Sequence, residues 1–436
     1  MTNKGKLLLD KIRNKTAEIG IIGMGYVGLP LAVEFGKAGF KVTGLDVDLE
    51  RMQTLQSGRS YIPDVSSSEI QGLIKSGRFN ATTDPDVLKT MDTVTICVPT
   101  PLRKTKDPDL SYIVSSVDSI CRSLRPGQLI ILESTTYPGT TDEVLLPKLE
   151  ETGLKVGRDF FLAFSPERVD PGNQQFTTRN TPKVVGGVTP DCTLLAGALY
   201  EQAVEKVIPV SSTRVAETVK LLENTFRSVN IGLVNEIALM SDKLGIDVWE
   251  VIDAAATKPF GFLPFYPGPG IGGHCIPIDP FYLSWKARQS GFEARFIDLA
   301  GQINGRMPEY VVEKITEALN HHGKCLKGAR MLIVGVAYKK DINDVRESPA
   351  LDIISLLARR GVKISYHDPF VPSFQIEGIQ QQSADLTDET IEAQDCVVIV
   401  TNHSRLDYKK VVKSSKLIMD TRNALKGMNS PNIVRL

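Results

Sequence analysis

Net charge, paired cysteines and long apolar runs are all missing from this sequence. Lysines and arginines number 51, and so do aspartates and glutamates. A chain without net charge gives no electrostatic reason to expect nucleic acid or an anionic membrane surface as partner. No apolar run approaches the ~18 residues a membrane-spanning helix needs, so no membrane is expected either. Met1 to Ala17 carries Lys4, Lys6, Lys11, Arg13 and Lys15 but lacks the apolar stretch of a signal peptide. A short amphipathic helix is the expectation there. The six cysteines, at 97, 121, 192, 275, 325 and 396, include no C-x-x-C and no paired spacing. That argues against a disulfide framework and against a zinc site, and for a reduced protein in the cytoplasm. No metal is expected.

What remains is an ordinary globular composition, 42% apolar and 23% charged over 436 residues, long enough for two or three domains. The most informative stretch runs from Phe265 and Tyr266 through a glycine- and proline-rich loop to Gly272, Gly273, His274, Cys275 and Asp279. Such a loop has too few side chains to fill a core. It lets backbone approach a ligand closely and presents one thiol at its end. The other cysteines read as small buried residues.

Short apolar runs at 18–24, 41–46, 93–98, 129–133, 161–164 and 183–186 alternate with helical segments, which predicts a parallel sheet covered by helices on both faces. From Ser211 the pattern changes. Residues 213–245 hold apolar positions at helical spacing without proline, and read as one long helix or two in tandem. More helices are expected at 247–256 and through 279–320. Strands return at 331–337, 362–367 and 396–401, in an order that echoes residues 18–46. The fold class is therefore α/β: two Rossmann-like, doubly wound domains joined by a helical middle domain with a long central helix. The expected boundaries are 1–210, 211–322 and 323–436.

Gly23-x-Gly25-x-x-Gly28 follows a strand and opens a helix, and Asp46 ends the next strand 23 residues after Gly23. That context predicts a dinucleotide site. Gly23 makes the tight turn, Gly25 lets backbone touch a pyrophosphate, and Gly28 lets helix and strand pack, with Tyr26 and Val27 between them. Asp46 suits a ribose diol and repels a 2′-phosphate, so NAD is expected rather than NADP. Pro99 and Thr100 end a strand of the same sheet and can line the cofactor groove. Arg51 reads as a solvated helix position.

Taken in order, Gly23-x-Gly25-x-x-Gly28, Val98-Pro-Thr-Pro101, Ser134-Thr135, Ser165-Pro-Glu167-Arg168, Lys220-Leu-Leu-Glu-Asn224, Gly272-Gly-His-Cys275-x-x-x-Asp279 and Tyr338-Lys339-Lys-Asp341-x-x-Asp344-x-Arg346-Glu-Ser348 resemble the UDP-glucose/GDP-mannose dehydrogenases, the nucleotide-sugar 6-dehydrogenases. The resemblance runs from about residue 17 to the end. It implies oxidation of a sugar C6 alcohol to a carboxylate, with Cys275 forming a thiohemiacetal and then a thioester. Only a thiolate attacks well, so Cys275 needs a positive or dipolar setting. The resemblance places Lys220 and Asn224, one helical turn apart, at the reacting oxygen, and Thr135, Glu167 and Asp279 near the hydrolytic water. It gives Arg346 to the NAD, and Lys339, with the Phe265–Gly273 loop, to the UDP-sugar. From the residues alone, Glu217 and Glu223 could pair with Lys220 along the helix, and Asp279 could be a helix cap.

His274 stands where many UDP-glucose enzymes carry a small residue, and Lys258 where relatives lend an arginine across subunits. With the aromatic loop 258–270 and Glu133-Ser-Thr-Thr-Tyr-Pro-Gly139, these features are closer to the branch acting on UDP-N-acetylhexosamines. The expected substrate order is UDP-N-acetylglucosamine, UDP-N-acetylmannosamine, UDP-glucose. A two-electron hydroxyacid dehydrogenase and a non-catalytic nucleotide-sugar sensor are the rival readings. The apolar surface of the long helix predicts a homodimer or higher homo-oligomer.

Overall fold

Glu18–Ile22 forms strand β1 because Ile19, Ile21 and Ile22 can all be buried when a sheet is covered on both faces. The structure, a computed structural model, describes residues 1–101, 107–168, 173, 175–273, 275–376 and 378–436. These divide into two compact units, Met1–Glu223 with Trp285–Ser290, and Asn224–Ser284 with Gly291–Leu436.

In the first unit β1 is followed by β2 (Lys41–Leu45), β3 (Phe79–Thr82), β4 (Thr93–Ile96), β5 (Leu129–Leu132), β6 (Phe161–Phe164), β7 (Lys183–Gly187) and β8 (Val207–Val210). They form one sheet in the order β3-β2-β1-β4-β5-β6-β7-β8. Pairing is parallel, with Ile19 beside both Val42 and Thr93, except that β7 runs antiparallel to β6. The strand order reverses between β1 and β4, the place where open α/β sheets bind ligands. Two apolar cores cover the two faces. The amphipathic helix expected at the N-terminus is Asn3–Arg13, and it buries Leu8 and Ile12 in the first core. Strands β3 and β8, absent from the sequence reading, are four-residue edge strands, one interrupted by Asn80 and the other by Pro209.

The second unit holds β9 (Arg330–Val334), β10 (Lys363–His367), the antiparallel hairpin β11 (Ser373–Ile376) and β12 (Ile379–Gln382), β13 (Cys396–Ile399), β14 (Ile418–Asp420) and β15 (Ile433–Arg435). Its main sheet is parallel, in the order β10-β9-β13-β14-β15. It too is covered on both faces.

Residues Thr213–Leu244 are a single helix, which contributes to both units. Val248–Ala255, Asp279–Gln289 and Arg295–His321 are the other helices of the middle region. Asn235 ties the glycine-rich loop to the long helix: its Oδ1 accepts from the Gly268 N–H at 2.9 Å while its Nδ2 donates to Asn304 Oδ1 at 2.9 Å. Among the described residues no helix is long and apolar enough to cross a membrane.

Candidate active site

The dinucleotide turn is built as its glycines require. Gly23 has φ +92°, and a Cβ there would lie 2.6 Å from the Cys97 carbonyl oxygen at the end of β4. A Cβ on Gly28 would lie 1.9 Å from the Gly23 carbonyl oxygen, so the helix Gly28–Ala38 reaches the strand only as glycine. At Gly25 a Cβ would meet no protein atom within 4 Å. That open space, at a helix N-terminus with no side-chain cap, is where a pyrophosphate can reach backbone. Asp46 Oδ2 accepts from the Met24 N–H at 2.8 Å and Oδ1 from the Asp48 N–H at 3.1 Å, holding the carboxylate at the end of β2. Beside it is an open cavity of about 370 Å3 lined by Gly25, Tyr26, Asp48, Arg51, Tyr61 and Ile62 among others. Arg51 is not simply solvated: its Nε lies 3.1 Å from Asp48 and its guanidinium stands 5.7 Å from the Tyr61 ring centre. Tyr61 in turn donates to the Met24 carbonyl. A glycine cradle, a carboxylate at the β2 end and an adjoining cavity fit NAD. Pro99 and Thr100 follow β4 at the rim of the same sheet.

Also in the first unit, Lys220 Nζ donates to Thr135 Oγ1 at 2.6 Å; Lys220 and Glu167 are buried and Thr135 is half-buried. Lys220 therefore has Thr135 as partner rather than the helix carboxylates. Glu217 accepts instead from the Gly139 and Thr141 N–H groups and the Thr141 hydroxyl, tying the loop after β5 to the long helix. Burial pushes the Glu217 carboxyl up to about 7 against those bonds. Glu223 takes Arg168 in a fork, at 3.2 and 2.7 Å. Glu167 accepts from the Arg168 N–H at 2.7 Å.

In the second unit Cys275 is a half-buried thiol one turn before the helix Asp279–Gln289. Its carbonyl accepts from the Ile278 and Asp279 N–H groups, closing the turn that leads into the helix. The preceding glycines are packed, not loose. A Cβ on Gly272 would fall 2.6 Å from Tyr338 Cβ, and one on Gly273, at φ +86°, 2.8 Å from the Tyr338 ring. The Gly273 N–H donates to the Arg346 carbonyl at 3.1 Å. The thiol loop and the Tyr338–Ser348 turn are thus one assembly, with half-buried Lys339 on it. Arg346 forks onto Asp344, with Nη2 to Oδ2 at 2.6 Å. Asp279 is 2% exposed and accepts from the Asn224 amide at 2.5 Å, so it is more than a helix cap. Phe265 packs edge-on against Phe226, and Tyr266 stacks on Trp249 while its hydroxyl donates to Asp253. Lys258 stands over the Phe260 ring. His274 lies outside the described residues.

Sequence reasoning gave Glu217 a different partner and missed Tyr61, the buried pair Glu133–Lys183, and Arg422, whose guanidinium lies against Gly268 and donates to the Val400 carbonyl at 3.0 Å. Only Glu217, three residues before Lys220 on one helix, carried a local signal.

Sequence comparison agrees with this architecture along nearly the whole chain. The chain matches the UDP-glucose/GDP-mannose dehydrogenase family in its NAD binding domain over residues 17–204, its central domain over 214–306 and its UDP binding domain over 332–427. It belongs to the UDP-glucose/GDP-mannose dehydrogenase family, and with it to the NAD-dependent oxidoreductases of nucleotide sugars. It is similar to the UDP-N-acetyl-D-glucosamine 6-dehydrogenase of Pseudomonas aeruginosa, 37% identical across 82% of this chain and 84% of that one. It is also similar to the UDP-N-acetyl-D-mannosamine dehydrogenase of Methanococcus aeolicus, 34% identical across 96% of this chain and 94% of that one. Among solved structures, the UDP-D-ManNAc dehydrogenase of Pyrococcus horikoshii superposes with a TM-score of 0.88 at 33% identity, over 96% of this chain and 98% of that one.

Proposed function

We propose that the protein oxidises the C6 alcohol of a UDP-N-acetylhexosamine to the carboxylate in two steps on one site, and that the sugar is N-acetylglucosamine. UDP-N-acetylmannosamine, which differs only in configuration at C2, is the alternative, since relatives named for either sugar are similar to this chain. The observation that carries the reading is the thiol loop. Gly272 and Gly273 leave no room for side chains against Tyr338, so the loop is shaped to present Cys275.

Two NAD molecules, bound in turn at the Gly23–Gly28 turn, would each accept one hydride, one for each oxidation. Lys220 and Asn224 donate hydrogen bonds to the C6 oxygen as it gains negative charge. Thr135 orients the Lys220 ammonium, and Asp279 orients the Asn224 amide, which keeps a second N–H for substrate. The Cys275 thiolate adds to the aldehyde carbon and forms the thiohemiacetal, so the aldehyde stays in the site. Oxidation of that adduct leaves a thioester. Water then attacks the thioester carbon, its proton passes to a carboxylate, the C–S bond breaks, and the sugar leaves as its uronic acid. We assign that proton to Glu167, which is the more accessible of the two, 9% exposed against 2% for Asp279. Lys339 and Arg422, cations at the loop end of the second sheet, suit the UDP diphosphate, and Arg346 suits the cofactor.

NADH formation with UDP-N-acetylglucosamine, UDP-N-acetylmannosamine and UDP-glucose, for the wild type and Cys275→Ser, tests this. Two NADH per sugar with the glucosamine substrate, lost in the variant, is the expected result. One NADH per sugar would restore the two-electron reading, and none would restore the sensor.

The long helix exposes Leu222, Phe226, Leu233, Met240 and Leu244, each between 47% and 62% accessible, at spacings of four and seven. That stripe supports a homodimer through the middle domain, and a light-scattering mass of one chain would refute it. Cysteines that form no disulfide among the described residues fit a reducing, cytoplasmic setting.

A further inference from the structure

Behind Glu167 lies a buried charge cluster that none of the steps above uses. Lys183 on β7 has a side chain only 5% exposed, and its ammonium contacts the fully buried carboxylate of Glu133, which follows β5. The same ammonium lies 3.6 Å from Glu167 Oε2. It also stands 5.3 Å from the Tyr200 ring centre, and the Tyr200 hydroxyl donates to the other oxygen of Glu133. Cys97, also buried, is a further titratable group beside it. Of the three charged residues, Glu167 is the outermost, with its side chain 10% exposed. The Ser165 hydroxyl beside it is taken by the Val184 carbonyl at 2.8 Å.

A buried lysine with one carboxylate partner would be a neutral structural pair. Here one cation faces two carboxylates, from separate strands, and only one of them reaches the rim. Burial works against charge on Lys183, but the two glutamates outweigh it and the ammonium is held charged. Burial pushes the Glu133 carboxyl up to about 7, against the pull of Lys183.

We propose that Lys183 is a positioning residue for the hydrolytic step: clamped by Glu133 and Tyr200, its ammonium keeps Glu167 ionised and aimed, so that Glu167 accepts the proton of the water attacking the Cys275 thioester. The inference rests on the assignment of Glu167 made above. The atoms balance as stated there, with water adding to the acyl carbon, its proton passing to Glu167 and the thiolate leaving. Lys183 exchanges no proton in the step. Without it, Glu167 faces burial and Glu133 unaided, so its ionised form is favoured only at higher pH.

The test compares Lys183→Met, Glu133→Gln/Lys183→Met and Glu167→Gln in the full-length enzyme with NAD and UDP-sugar. Lys183→Met leaves two buried carboxylates without their cation and is expected to destabilise the fold, whereas the double variant removes charge of both signs and leaves Gln to accept from Tyr200. The readouts are the pH profile of kcat, KM for the sugar, and the mass of a sugar adduct on Cys275 in the quenched protein. The double variant is expected to accumulate the adduct at pH 7, to move the acidic limb of kcat upward by about one pH unit or more, and to leave KM within about twofold. Recovery of turnover at high pH separates this from a merely loosened fold. If Glu167→Gln accumulates adduct while the double variant shows a normal limb and no adduct, the role of Lys183 is overturned and that of Glu167 stands. If Glu167→Gln shows no adduct, the assignment of Glu167 falls, and the inference with it.

Discussion

The two sheets of this protein begin alike and end differently. In each, the first strand runs into a glycine with positive φ, Gly23 at +92° and Gly335 at +84°. Each glycine N–H donates to the end of the second strand, at Leu45 and His367 respectively. In each, an added Cβ would strike the backbone after the third central strand, at 2.6 Å from Cys97 O and 2.4 Å from Thr401 O. In each, an aspartate after the second strand accepts from N–H groups just past that glycine: Asp46 from Met24, Asp368 from Val336 and Ala337. There the likeness stops. Asp46 is half-buried beside an open cavity, whereas Asp368 is 3% exposed and fully engaged by Phe370, Val371 and His403 as well. The first half keeps Gly25 and Gly28 and starts its helix at once, while the second carries Ala337 and Lys340 at those positions and starts its helix only at Pro349. The frame of a dinucleotide domain is kept twice, and in the first copy it carries an open glycine cradle with a cavity beside it. In the second, buried Ala337 and the engaged Asp368 stand at the matching positions, and a charged turn, Lys339 to Arg346, follows.

If the frame is shared, Gly23→Ala and Gly335→Ala should cost alike, about 3 kcal/mol or more each, since both meet positive φ and a backbone collision. Unfolding midpoints in denaturant would measure this, and a tolerated alanine at either position would break the equivalence. The aspartates should then part company. Asp368→Asn turns an amide toward the Val336 and Ala337 donors and His403, and is expected to cost about 3 kcal/mol. Asp46→Asn should cost under about 1 kcal/mol in stability and show its effect in NAD affinity instead. Burial works to raise the Asp368 carboxyl, but the His403 bond and the backbone donors outweigh it and hold it below its usual value. Its contribution is therefore present above the unfolded carboxyl value of ~3.9 and lost as pH falls through the folded value. Acid unfolding of the Asn variant should lack that dependence, and an unchanged acid limb would count against the assignment.

Much of this architecture could be read from residues alone, because its signals are local. The Gly23–Asp46 unit, the long helix from 213 and the thiol loop each carry their pattern within one stretch of chain. The strands that escaped, β3 and β8, are short edges whose residues do not alternate or cluster strongly. The site was legible where types and spacing coincide, as for Lys220 and Asn224, and illegible where partners come from distant strands. Nothing near Glu133 announces Lys183, which is 50 residues away and meets it only because β7 and the end of β5 lie near one another across the sheet. Glu217 shows the same limit, since its donors lie 76 and 78 residues back in the sequence. Helix spacing suggested a partner for Lys220, whereas the fold gave Lys220 to Thr135 and Glu217 to backbone.

The finest difference between the halves lies at one carbon atom. Gly25→Ala adds a methyl that meets no protein atom within 4 Å, so the fold should not register it and the thermal midpoint should stay within about one degree. The space it enters is the one the backbone offers to a pyrophosphate, so NAD should bind about tenfold more weakly, about 1.4 kcal/mol. At the matching position in the second half a methyl is already present and fully buried, as Ala337. Ala337→Gly should therefore do the reverse of what it does in a ligand cradle, costing about 1 kcal/mol of stability and creating no affinity for NAD. Isothermal titration and thermal unfolding of the two variants measure all four quantities. An undiminished NAD affinity in Gly25→Ala would mean that the cofactor does not approach this turn, and the contrast between an open and a filled copy would fail at its starting point.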